Sequence, residues 1–207
     1  MLIKTIPLQD MIETNAYFYI DEISKHGFLI DPGAQPEILI SLINKNKWII
    51  EKILLTHSHF DHIGAVESLS KNLQIPYYIH QSGTEILKNP QLNLSIFTGK
   101  EIKLNNALYF NDNDEILLEA NPQIKLQVLH TPGHTPDGVT FYDENNHVAF
   151  VGDTIFKDSI GATHFPGGDY ETLINSIRHK ILTLPDNTVL YSGHTQPTTV
   201  KAEKSRF

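Results

Sequence analysis

Between Thr56 and His62 the chain reads Thr-His-Ser-His-Phe-Asp-His, which places three imidazoles and a carboxylate side by side. Imidazole nitrogen and carboxylate oxygen are the ligands that borderline divalent metals take, zinc and iron among them. Side chains on an extended chain alternate faces, so His57 and His59 point the same way. The apolar run Ile53-Leu54-Leu55 before them reads as a buried strand, and Ile63 to Ser70 after them reads as a helix. Asp61 and His62 then fall at a helix N-terminus, which favours a carboxylate. Ligands in α/β proteins gather at the carboxyl ends of strands. The chain repeats that placement three more times. His134 sits in the rigid turn Thr131-Pro132-Gly133-His134 after a strand over 125–129. Asp153 follows an apolar strand over 147–151 and Gly152. His194 follows a strand over 188–191, then Ser192-Gly193. Four such strand ends predict convergence on one edge of the fold.

Other candidates read more plainly. Asp31 ends the apolar run 27–30 just before Pro32-Gly33, where capping the turn is the favoured role and orienting a ligand the alternative. His80 closes a strand over 75–80 with nothing nearby to complete a site, so a hydrogen-bonded or exposed ring is expected. His130, two residues after Val128, is expected to pack on its strand.

The elements that would hold these residues follow from pattern. Strands are predicted over 2–6, 16–20, 48–55, 107–110, 115–119 and 138–142. Apolar residues at 38, 39, 42 and 43 have helical spacing, as do those at 173, 174, 177 and 181, the latter with Asp169 as N-cap. Residues 89–113 read as a long irregular connection suited to substrate contacts. At 207 residues, 40% of them apolar, the chain is expected to form one domain over 1–207. A net charge of −8 argues against a general nucleic-acid binder. No apolar stretch is long enough for a membrane span, and no signal peptide is recognisable, so a cytoplasmic protein is expected. There is no cysteine, which rules out thiolate ligands and a thiol nucleophile. Oligomeric state is not readable.

The order His-x-His-x-Asp-His, lone His, Asp, final His resembles the metallo-β-lactamase superfamily. The resemblance extends to Phe156–Gly161, Phe165–Asp169 and the tail from Ser192 through Glu203-Lys204. It implies an α/β protein built as a four-layered αββα sandwich with a dinuclear centre at one sheet edge. By that resemblance His57, His59 and His134 hold one metal, and Asp61, His62 and His194 hold the other. Asp153 bridges the two, and Asp31 orients ligands. The absence of Cys departs from the antibiotic-cleaving branches with a thiolate ligand, and the set is similar to glyoxalase II-like small hydrolases. The implied reaction is hydrolysis of a small-molecule thioester by water activated between two divalent ions, zinc first, with iron or manganese accepted. Asp61 is the expected catalytic group, taking a proton or orienting the water. An iron-dependent persulfide dioxygenase of the same fold and a non-catalytic metal-binding protein are the alternatives.

Five positions depart from the small members. Ala162 and His164 stand where Arg and Asp are usual, a change expected to be structural. Thr195 replaces a Gly, and Asp137-Gly138 replaces Gly-Ser, both expected to alter pocket shape. Lys201, Lys204 and Arg206 are expected to be solvated tail charges.

Overall fold

Alternation along the strands divides the apolar residues into three separate clusters, and these define the layers. A computed structural model describes residues 1–207. The first sheet runs in order β1 (Leu2–Gln9), β2 (Glu13–Ile20), β3 (His26–Ile30), β4 (Ile49–Leu54), β5 (Tyr77–His80) and β6 (Leu108–Phe110). Its first three strands are antiparallel, and β3 to β6 are parallel. Then come β7 (Glu115–Leu118), β8 (Asn121–His130), β9 (Val139–Asp143) and β10 (Val148–Gly152). A small hairpin follows, β11 (Ile155–Phe156) with β12 (Ser159–Ile160), and last β13 (Val189–Ser192) and β14 (Thr198–Thr199). The second sheet has the order β14-β13-β10-β9-β8-β7.

Residues of opposite parity on one strand serve opposite faces. On β2, Tyr17 and Tyr19 point between the sheets with Phe28, Phe141 and Phe150. Phe18 and Ile20 point outward, against Leu39 and Ile43 of α1 (Pro36–Asn46). A short α2 (Phe60–Ile63) leads into α3 (Val66–Leu73), whose Val66 and Leu69 join that outer cluster. After α4 (Thr84–Lys88), the second sheet is covered by α5 (Tyr170–Ser176) and a π-helical turn over Ile177–Ile181. Leu173, Ile177 and Ile181 pack there on Ala149, Val151 and Leu190. A final α6 (Val200–Lys204) ends the chain's regular structure. The result is the expected αββα sandwich. Asp169 caps α5 through its Oδ1, which accepts from the Thr172 amide at 2.8 Å.

Two expectations need adjustment. The strands expected over 2–6 and 16–20 run on through most of the polar stretch between them and close in a tight hairpin, with Leu8 opposite Thr14 and Gln9 opposite Glu13. The helix expected over 63–70 is broken at Gly64-Ala65, because the Pro32 carbonyl takes the Ala65 amide at 3.0 Å. No helix is long and apolar enough to cross a membrane.

Candidate metal centre

Each ligand-type residue stands just past a strand of the sandwich. The 57–62 run follows β4, His134 lies in the turn after β8, Asp153 follows β10 and His194 follows β13. The edges of the two sheets meet here. The Val139 amide donates to the Thr56 carbonyl at 2.8 Å. Gly152, at φ 50°, lies so close to Thr56 that a Cβ would come within 2.4 Å of its Oγ1. Only glycine lets β10 deliver Asp153 against the histidine turn.

The geometry brings all seven predicted residues together. Three overlapping sets have ligand atoms within 4.8 Å of one another: His57, His59 and His134; His57, His62 and Asp153; Asp61, His62 and His194. Asp153 reaches both halves. Its Oδ1 is 3.4 Å from His62 Nε2, and its Oδ2 is 3.6 Å from His134 Nε2 and 3.1 Å from His194 Nε2. His59 Nδ1 and His134 Nε2 approach to 2.9 Å.

Hydrogen bonds fix which nitrogen of most rings faces the centre. His62 Nδ1 donates to Asp31 Oδ2 at 2.9 Å, His134 Nδ1 to the Ala162 carbonyl at 2.6 Å, and His194 Nδ1 to the Glu13 carbonyl at 2.8 Å. His57 Nδ1 lies 3.2 Å from Thr56 Oγ1, which donates to Asp31 at 2.6 Å. Each arrangement leaves Nε2 with a lone pair aimed inward, as metal-ligating histidines require. His57 Nε2, His62 Nε2 and Asp153 Oδ1 are buried and have no hydrogen-bond partner. Buried polar atoms are nearly always paired, so these orphans fit divalent cations between them. Thr14 Oγ1 donates to Asp61 Oδ2 at 2.8 Å and holds that carboxylate in place.

The charges divide along the same line. Burial, then the neighbouring rings of His62, His134 and His59, keep His57 well below the usual imidazole range. Burial and His134 push His59 down to about 3. Burial also opposes protonation of His62, but Asp61, Asp153 and Asp31 overcome it and hold its pKa well above normal. Burial is likewise outweighed at His194, which Asp153 and Asp61 raise to about 10. Before any metal binds, one half of the cluster is thus neutral imidazole, and the other is carboxylate balanced by protons on His62 and His194, which a divalent ion would displace.

Above the centre opens a cavity of about 450 Å³. His59, Asp61, His134, Asp153 and His194 form its floor, and Met11, Ile12, Leu94, Phe97, Phe156 and Phe165 form most of its wall. These wall residues carry no signal that composition could single out. Leu94 and Phe97 do fall in the long connection expected to meet substrate.

Asp31 does not act mainly as a turn cap. It holds Thr56 and His62, the alternative role. His80 is buried and stacks face to face on His130 at 4.0 Å, while His130 donates from Nε2 to the Pro136 carbonyl at 2.9 Å. Ala162 lines the cavity, and exposed His164 packs at a tilt against Phe165, ring centres 4.3 Å apart, outside the ligand cluster. Asp137 is fully buried behind the histidine turn, where it accepts from Ser58 Oγ, and does not line the cavity. Thr195 accepts the Lys157 amide and ties the β11–β12 hairpin to the last ligand loop. Lys204 pairs with Asp186, and Arg206 with Glu203, away from the cavity.

Comparison with known proteins agrees with this geometry. The family model for the metallo-beta-lactamase superfamily matches residues 11–194. The chain is 35% identical to hydroxyacylglutathione hydrolase GloC of Haemophilus influenzae, over 99% of this chain and 95% of that one. Among solved structures, the BLEG-1 B3 metallo-beta-lactamase superposes with a TM-score of 0.91 at 38% identity, covering 99% of this chain and 97% of that one. TTHA1623 in a di-iron-bound form superposes with a TM-score of 0.84 at 33% identity, covering 96% of both chains. The chain belongs to the metallo-beta-lactamase superfamily and is a metallo-hydrolase of that group.

Proposed function

We propose that the protein hydrolyses the thioester of a small molecule with two divalent ions, held by His57, His59 and His134 on one side and Asp61, His62 and His194 on the other. Asp153 lies between them. The observation that carries this reading is the set of orphaned buried atoms, His57 Nε2, His62 Nε2 and Asp153 Oδ1, directed into one cluster under an open cavity. Such ions polarise a carbonyl oxygen and bring a water's pKa down toward neutrality. Asp61, at the cavity floor and steadied by Thr14, orients that water and takes its proton. The Nδ1 bonds to Asp31, Ala162 and Glu13 keep three rings from rotating as charge shifts.

The leaving group decides between substrates. Every titratable side chain in the cavity wall or floor belongs to the ligand cluster, so no acid independent of the centre stands there to protonate an amine. A thiol of pKa about 8.5 leaves as thiolate without that help. This favours a thioester over an amide or lactam. Zinc is the first expectation for the metal. The His and Asp set also suits iron, and TTHA1623, a relative of similar fold, has been seen with two irons.

The test is metal content per chain, by elemental analysis, with thioester turnover on the same sample. About two ions with turnover are expected. A single iron, no hydrolysis, and oxygen uptake with a persulfide would replace this reading with a dioxygenase. Faster turnover of a β-lactam than of any thioester would replace it with a lactamase.

A further inference from the structure

The floor of the cavity is polar and its wall is not. Met11 and Ile12 come from the β1–β2 turn, Leu94 and Phe97 from the long connection before β6, and Phe156 and Phe165 from the segment before α5. Three separate stretches of chain thus bring apolar side chains to one opening. Three of them stand in solvent: Phe97 is 73% exposed, Met11 60% and Ile12 48%. Apolar groups collected in water around a cavity mark a surface that a ligand covers. The charge pattern is equally one-sided. None of the 16 Lys and Arg residues lines the cavity. Carboxylates on a ligand are ordinarily met by Arg or Lys, and this wall offers neither.

We propose that this site takes an uncharged thioester bearing a hydrocarbon chain, and not a short polar acyl group carried by an anionic thiol. The inference rests on the thioester hydrolase reading for the reaction, and on the wall alone for the choice of substrate. The carbonyl sits over the floor, and the chain lies against Met11, Ile12 and Phe97. The hydrocarbon can belong to the acyl group or to the leaving thiol. The chemistry recognised is the same, and two substrate series separate them.

In the first series acetyl, butanoyl, hexanoyl and octanoyl groups are carried on 2-hydroxyethanethiol. In the second an acetyl group is carried on alkanethiols of increasing length. S-Lactoylglutathione serves as the polar, anionic comparison. With the metal-loaded protein, kcat/KM should rise by about two- to fourfold per added methylene in at least one series. It should exceed that for lactoylglutathione. Calorimetric titration with unreactive dialkyl thioethers, in metal-free protein, should show affinity rising with chain length. In the double variant Met11→Ser, Phe97→Ser the dependence on length should flatten in both assays. Both side chains are exposed, so thermal unfolding checks that the fold is intact.

Flat series, or a preference for lactoylglutathione, would overturn the proposal and leave the hydrolase standing. Thioether binding that strengthens with length, without turnover of any thioester, would overturn the hydrolase and leave the apolar site standing.

Discussion

Asp31 adopts a left-handed backbone, φ 50°, at the end of β3. Aspartate tolerates that region better than most residues, and here its carboxylate accepts from the Thr56 amide, the Thr56 hydroxyl and His62 Nδ1. Asp31→Ala should therefore lower metal affinity by about 10–100-fold while leaving all seven ligand side chains in place. Competition with a chelator measures it, and an unchanged affinity would return Asp31 to a turn-capping role. His80 supports a second prediction. Burial and the stacked His130 ring lower its pKa to about 4, against a pull upward from Asp112 and Asp114. An unfolded chain takes up that proton near pH 6.5, so stability is fully present above that pH and is lost as the pH falls toward 4. The loss is at most about 3 kcal/mol. Urea unfolding across that window should show a weaker acid dependence for His80→Asn than for the parent. The seven ligand-type residues are legible in the sequence because metal affinity is a property of residue type, and strand ends are local. Asp31 is less legible, because its partners lie 25 and 31 residues away and Pro-Gly beside it offers a sufficient local account. The His80–His130 stack also joins strands from different sheets, and nothing in either segment announces it.

At the scale of elements, strands are legible here as short continuous apolar runs, since both sheets bury apolar groups on both faces. What such runs leave out is how one backbone excludes another. The helix after the histidine turn splits into α2 and α3 because residues 32–33 press into the break. A Cβ on Gly33 would lie 1.5 Å from the Asp61 carbonyl, and one on Gly64 would lie 2.1 Å from the Gly33 carbonyl. Gly33→Ala must push α2 away, and α2 carries both Asp61 and His62. The variant should lose about 1–3 kcal/mol in urea unfolding and bind less metal than the parent. Loss of stability with full metal content would show that the break is a packing feature alone. The inner ends of the β1–β2 hairpin are missed for a related reason. Its polar residues resemble a loop, yet Thr14 holds Asp61, and Asn15 Nδ2 donates to the Ser192 and Thr195 carbonyls at 3.1 Å each. Thr14 and Asn15 are polar because they serve the centre, while Gln9 to Glu13 face solvent.

The whole molecule has two sheets joined by an apolar interior with few polar ties. Tyr19 Oη donates to Asp143 at 2.6 Å and Tyr17 Oη to the Ser192 carbonyl at 2.6 Å, both buried and both linking one sheet to the other. The metal centre lies on the same seam, so ligand binding and sheet docking are coupled. Free metal at a hundredfold excess over its dissociation constant should stabilise the fold by about 2.7 kcal/mol. For a chain of this size that raises the melting temperature by about 5–10 °C. Scanning calorimetry with and without chelator measures it, and coincident transitions would separate the centre from the seam.

The Glu13 carbonyl that receives His194 Nδ1 is 181 residues from it in the chain, and the Asn15 amide bonds Gly193 across nearly the same distance. A ribosome adding about 5–20 residues per second exposes the first partner roughly 10–35 seconds before the second has been made. Throughout that interval the nascent polypeptide owns His57, His59, Asp61 and His62 but not the residue that closes their site. On the two-ion reading, faithful metal loading would therefore come late, and any ion captured earlier would be held by an incomplete cage.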